Sequence, residues 1–95
     1  MMNYGNYRVR AIAHGTGKTK RYDLVLENGE PFTIINIPSM NRSETVIAVK
    51  NYSENEGMLE FLQENGIIKD VVGMENSGFV SVPIVEIDVQ KLLSA

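Results

Sequence analysis

Cysteine is absent from the chain, and with it go disulfide staples, thiolate nucleophiles and the commonest structural zinc sites. That composition is compatible with a reducing cytoplasm, which is the expected location. Long apolar runs are missing too. None exceeds a handful of residues, against the roughly 20 needed to cross a bilayer, so no membrane contact is expected. The opening Met1-Met2-Asn3-Tyr4-Gly5-Asn6-Tyr7 has neither the apolar stretch nor the small-residue cleavage pattern of a secretory signal. Acidic residues are lacking from the first part of the chain, which carries Arg8, Arg10, Lys18, Lys20 and Arg21 unopposed. Histidine occurs once, at His14, so any histidine-based dyad must use it.

What is present fits one small globular domain over residues 1–95. The apolar fraction is 43% and the charged fraction 22%, both near globular averages, which argues against wholesale disorder. A net charge of −3 conceals a division. The segment up to Arg21 is +5, and the remainder sets four cations against all twelve acids. Such halves either fold against each other or present two faces of opposite sign to different partners.

Turn signals every eight to twelve residues give the rhythm of short strands. Tyr7–Ala13 and Lys20–Leu26 alternate in polarity, the second placing Tyr22, Leu24 and Leu26 on one side. Asn28-Gly29 is a strong hairpin signal, but the tightest register would set Glu27 against Glu30. A longer loop, or a cation such as Lys20 or Arg42, would relieve that repulsion. Phe32–Ile37 reads as the return strand ended by Pro38, and Glu44–Val49 as a fourth. Ile67–Met74 and Phe79–Ile84 follow as strands around a turn at Glu75–Gly78, with Pro83 placed near a sheet edge.

Ser53 and Glu56 have the spacing of a capping box. Met58, Leu59 and Leu62 follow as an apolar stripe flanked by Phe61, and Asn65-Gly66 as a stop, so a helix is expected over about 53–65. Gly57 in its first turn costs about 1 kcal/mol relative to alanine, so either it sits close against another backbone or the cost is simply tolerated. Glu56, Glu60 and Glu64 recur at four-residue spacing and form one exposed acidic row. Asp88 can cap a short C-terminal helical turn. The expected fold class is α+β, an antiparallel sheet of five or six short strands with one helix across one face.

Chemical motifs are weak. Gly15-Thr16-Gly17-Lys18-Thr19 matches half of a phosphate-binding P-loop, but Ile12 stands where the first glycine belongs, and a strand follows instead of a helix. No serine lies in a nucleophile elbow for His14 to activate. His14 with Asp23 or Glu27 has no metal-ligand spacing, so no metal and no cofactor are expected. The tyrosines at 4, 7, 22 and 52 lie among Arg8, Arg10 and Arg21, an arrangement able to stack bases, but overall acidity disfavours direct nucleic-acid binding.

The stretch Val49-Lys50-Asn51-Tyr52-Ser53-Glu54-Asn55-Glu56-Gly57-Met58 resembles the helix start of small uncharacterised proteins carried by phages, plasmids and other mobile elements of bacteria. The resemblance extends to the strand pair within Asp23–Ile37 and to Gly78-Phe79-Val80. It implies a small accessory protein that binds a host protein stoichiometrically, and no active-site residue carries over. Two expectations follow. The first is a non-enzymatic binding protein, inhibiting a host defence nuclease by placing Glu56, Glu60 and Glu64 in its nucleic-acid channel. The alternative is a sponge for nucleotides or small anions, built as a homo-oligomer from Arg8, Arg10, His14, Lys18, Lys20, Arg21 and Tyr22. An enzyme comes third.

Overall fold

The computed structural model describes residues 1–95 and begins with a strand too short to show in the sequence pattern. This β1 (Met2–Tyr4) pairs antiparallel with β2 (Tyr7–His14) across Gly5-Asn6. β3 (Arg21–Leu26) and β4 (Pro31–Ile34) complete a four-stranded sheet in the order β1-β2-β3-β4. Alternation does what was expected of it. Val9, Ala11, Tyr22 and Leu24 turn inward, with Ala11 opposite Leu24 and Val9 opposite Leu26.

The Asn28-Gly29 hairpin avoids the Glu27–Glu30 clash by lengthening. The Leu26 N–H donates to the Glu30 carbonyl, the Gly29 N–H donates back to Leu26, and Asn28 Oδ1 accepts from Glu30 N–H. The three-residue loop leaves Glu27 beside Arg8 at 3.4 Å, whereas Lys20 and Arg42 pair with Glu44 and Glu75.

The second sheet contains β5 (Val46–Ala48), β6 (Ile68–Ser77) and β7 (Val80–Ile87), in the order β5-β7-β6. Residues 35–37 join the two sheets into one curled surface. Ile35 N–H donates to Tyr22 O on one side, while Ile37 N–H donates to Ala48 O and Asn36 bridges to Val49 on the other. The β6–β7 turn falls at Gly78-Phe79, later than expected. Gly78 has a φ of +63°, which suits the first central position of a two-residue hairpin. Pro83 therefore lies in the central strand, not near an edge. It is tolerated because the β5 ladder ends at Ala48–Ile84, and beyond it Pro83 only accepts, from Val49 N–H.

The helical segment is broken in two. A single 3-10 turn covers Ser53–Asn55, and α1 spans Met58–Glu64. The Ser53–Glu56 capping box does not form, because Ser53 (φ +54°) belongs to the separate turn. Asn51 takes over its role, its Oδ1 accepting from Leu59 N–H at 2.8 Å. Gly57 precedes α1 with a φ of +97°, and a Cβ there would meet nothing, so backbone conformation and not a close approach demands glycine. At the C-terminus, α2 (Val89–Ser94) is capped as expected, Asp88 accepting from Lys91 N–H.

Met58, Phe61 and Leu62 carry α1 into the main core, where they meet Val9, Tyr22, Leu24, Ile35, Ile47 and Ile87. A smaller cluster of Ala48, Val82 and Ile84 covers the far side of the second sheet, which leaves β7 buried on both faces. The architecture is α+β: two antiparallel sheets, one main helix and a short terminal helix. No helix is long and apolar enough to cross a membrane.

Candidate functional site

Glu60 and Glu64 lie one turn apart on α1, and both are exposed. Glu56 precedes the helix, yet the bend at Gly57 keeps it on the same side. All three, with Asn3, Tyr4, Gly5, Gly57 and Phe61, line a shallow mouth of about 160 Å³ between α1 and the β1–β2 turn. None of the three carboxylates joins an ion pair with the chain's own cations. No group of three His, Asp or Glu side chains is close enough to share a metal ion.

Tyr4 belongs to this mouth and packs against the edge of the core. Its ring packs against Phe61 at 4.9 Å and Phe32 at 5.4 Å, and Tyr7 leans on Phe32 at 5.0 Å. The Tyr4 hydroxyl is enclosed with no hydrogen-bond partner, and burial pushes its pKa up. An enclosed unpaired hydroxyl costs about 1–3 kcal/mol. Nothing in the local sequence marks Tyr4 for this place; the β1–β2 turn and α1 meet only in the fold.

The basic segment is largely consumed by internal pairing. Arg21 grips Asp23 through two bonds of 2.9 Å, and His14 Nε2 sits 3.3 Å from the second Asp23 oxygen. Lys20 Nζ lies 2.7 Å from Glu44, and Arg8 meets Glu27. The hydrogen bond to Glu44 holds the Lys20 ammonium above its ordinary pKa. Arg10 and Lys18 are exposed and remain without an ion pair. Tyr22 is fully buried, and its hydroxyl donates to the Glu44 carbonyl at 2.9 Å, so it offers no stacking face. Burial raises the pKa of this phenol as well. The seven residues thus do not form one anion-binding surface.

A second, wider groove of about 440 Å³ runs over Pro31, Phe32, Thr33 and Ile34 of β4. Its charged rim is already neutralised, with Arg21 on Asp23 and Lys50 on Glu54 at 3.0 Å. Glu54 titrates below its ordinary range, held by its own backbone N–H and then by Lys50.

Comparison with known families, curated proteins and solved structures finds no match to this chain.

Proposed function

We propose that this chain is a non-enzymatic binding protein that docks its acidic helix face on a cationic surface of a partner protein. The observation that carries the reading is the gathering of Glu56, Glu60 and Glu64 on one concave mouth with no internal counter-ion. Unpaired carboxylates repel one another on a short helix at a small cost in stability. A partner that brings lysine or arginine to the mouth removes that repulsion. Electrostatic steering of this kind accelerates encounter, and it weakens as salt rises.

The partner class with the matching chemistry is a protein whose own ligand is polyanionic, and a nuclease channel is the leading case. A row of carboxylates occupies such a channel by competing with backbone phosphates. That this nuclease belongs to bacterial defence, and this chain to a mobile element, rests on the sequence resemblance alone.

The test is inhibition of a panel of bacterial nucleases by the purified chain and by its E56K/E60K/E64K variant. The wild-type chain inhibits at least one nuclease, and the variant, folded by circular dichroism, does not. Equal inhibition by both proteins, or none by either, overturns the proposal.

A further inference from the structure

Two asparagines of this chain, Asn28 and Asn65, are each followed by glycine. Glycine carries no Cβ, so its backbone nitrogen closes on the preceding side-chain amide with little hindrance. Sequence therefore marks both positions for the same chemistry. The fold treats them differently.

Asn28 sits in the loop between β3 and β4, where every residue from Glu27 to Pro31 is exposed. The Gly29 N–H donates only to Leu26 O, at 2.9 Å, within that open loop. Asn28 Oδ1 accepts from Glu30 N–H at 3.0 Å. That bond closes a ring containing the Gly29 nitrogen and holds the amide over it.

Asn65 closes α1 and is half-buried. Its Nδ2 donates back to Phe61 O at 2.8 Å, turning the amide toward the helix. The Gly66 N–H donates to Gln63 O at 3.0 Å, and Ile67 N–H donates to Leu62 O at 2.9 Å. Leu62 and Ile67 are fully buried on either side. Freeing the Gly66 nitrogen and releasing the Asn65 amide means lifting this helix end from the core. An exposed loop opens at little cost, whereas a segment anchored in the core opens at a cost near that of unfolding.

We infer that Asn28 is a site of spontaneous deamidation, and that the fold shields Asn65 from the same reaction. The Gly29 nitrogen gives up its proton to solvent and attacks Asn28 Cγ. The new N–Cγ bond forms, the Cγ–Nδ2 bond breaks, and ammonia leaves with a proton taken from water. Water then opens the cyclic imide at either carbonyl, so the net change is amide plus water to acid plus ammonia. One product is aspartate; the other is isoaspartate, whose main chain runs through the former side chain. Either one adds a carboxylate between Glu27 and Glu30, where Arg8 already serves Glu27 at 3.4 Å. Isoaspartate also lengthens the loop backbone, which disturbs the register set by Leu26 N–H and Glu30 O. The change is one-way, and it leaves the β3–β4 hairpin more negative and weaker.

The experiment incubates the full chain in mildly alkaline buffer, folded and in guanidinium chloride, and follows both asparagine peptides by mass spectrometry. Unfolded, the two sites convert at comparable rates. Folded, Asn28 converts at least about tenfold faster than Asn65, the difference being the cost of opening the helix end. Ammonia release from the folded chain loses its fast phase in Asn28→Asp, which keeps the oxygen that accepts from Glu30 N–H. It keeps that phase in Asn65→Asp. Equal rates at the two sites of the folded chain overturn the inference. So does an Asn28 that stays intact when folded while its unfolded counterpart reacts.

Discussion

Lys20 Nζ and Glu44 Oε1 stand 2.7 Å apart across 24 residues of sequence, one from the acid-free opening segment and one from the acidic remainder. The pair sits over the Tyr22 hydroxyl, which donates to the Glu44 carbonyl, so it closes the sheet end above a buried ring. Lys20 holds its proton more tightly folded than unfolded, chiefly through the hydrogen bond to Glu44. Its contribution is therefore complete below the ordinary lysine range and is lost as pH rises through the folded value. Lys20→Met is expected to melt below the wild-type chain at neutral pH, with the gap narrowing in strongly alkaline buffer. Melting curves across that alkaline range check it. A gap that widens with pH contradicts the pairing.

Tyr4 gives a prediction of opposite sign. Its hydroxyl is enclosed without a partner, so Tyr4→Phe removes an unsatisfied group and keeps the ring contacts with Phe32 and Phe61. Stability is expected to rise by about 1 kcal/mol, read as a shift in urea midpoint at constant slope. A loss of stability would show that the hydroxyl is bonded in solution.

Asn36 is a buried side chain that makes three hydrogen bonds. Its Oδ1 accepts from Tyr22 N–H at 2.8 Å, and its Nδ2 donates to Lys20 O and Asn41 Oδ1. Asn41 in turn accepts from Ala48 N–H and donates to Lys20 O, which ties both sheets together. Asn36→Ala leaves several of these groups buried and unpaired, and about 3 kcal/mol of destabilisation is expected. Chemical denaturation measures it directly. An effect near zero would mean that water replaces the amide.

The start of α1 discriminates between two caps. Asn51→Ala removes the acceptor for Leu59 N–H and is expected to cost about 1 kcal/mol. Ser53→Ala, which the capping-box pattern would make equally costly, is expected to change little, because Ser53 caps nothing. Amide exchange at Leu59 and Glu60 in the two variants separates the roles. Faster exchange in Ser53→Ala and not in Asn51→Ala reverses the assignment.

Much of the fold was legible without coordinates because it depends on neighbours in the chain. Period-two alternation in Tyr7–Ala13 and Lys20–Leu26 marks strands, since successive side chains must point to opposite faces. Asn28-Gly29 marks a reversal, and Asp88 marks the start of α2. Local rules failed where a distant residue competes for the same group. The Ser53–Glu56 spacing is right for a capping box, but Asn51 reaches Leu59 first once Gly57 bends the chain. Pro83 reads as an edge residue until Val49 leaves β7 with one carbonyl to satisfy and no donor to miss.

The candidate sites divide in the same way. Charge and spacing alone placed Glu60 and Glu64 on one side, because four-residue steps stay on one helix face, whereas Glu56 precedes α1 and reaches that side through the bend at Gly57. The sequence also determined the strand and helix segments, through hydrophobic period and turn chemistry. Only the tertiary structure decided that the basic segment spends Arg8 and Lys20 on carboxylates far along the chain, that Tyr22 is core, and that Tyr4 joins the acidic mouth. The reason is physical: periodicity reports which way a side chain points, whereas burial and ion pairing depend on what the rest of the chain brings to meet it.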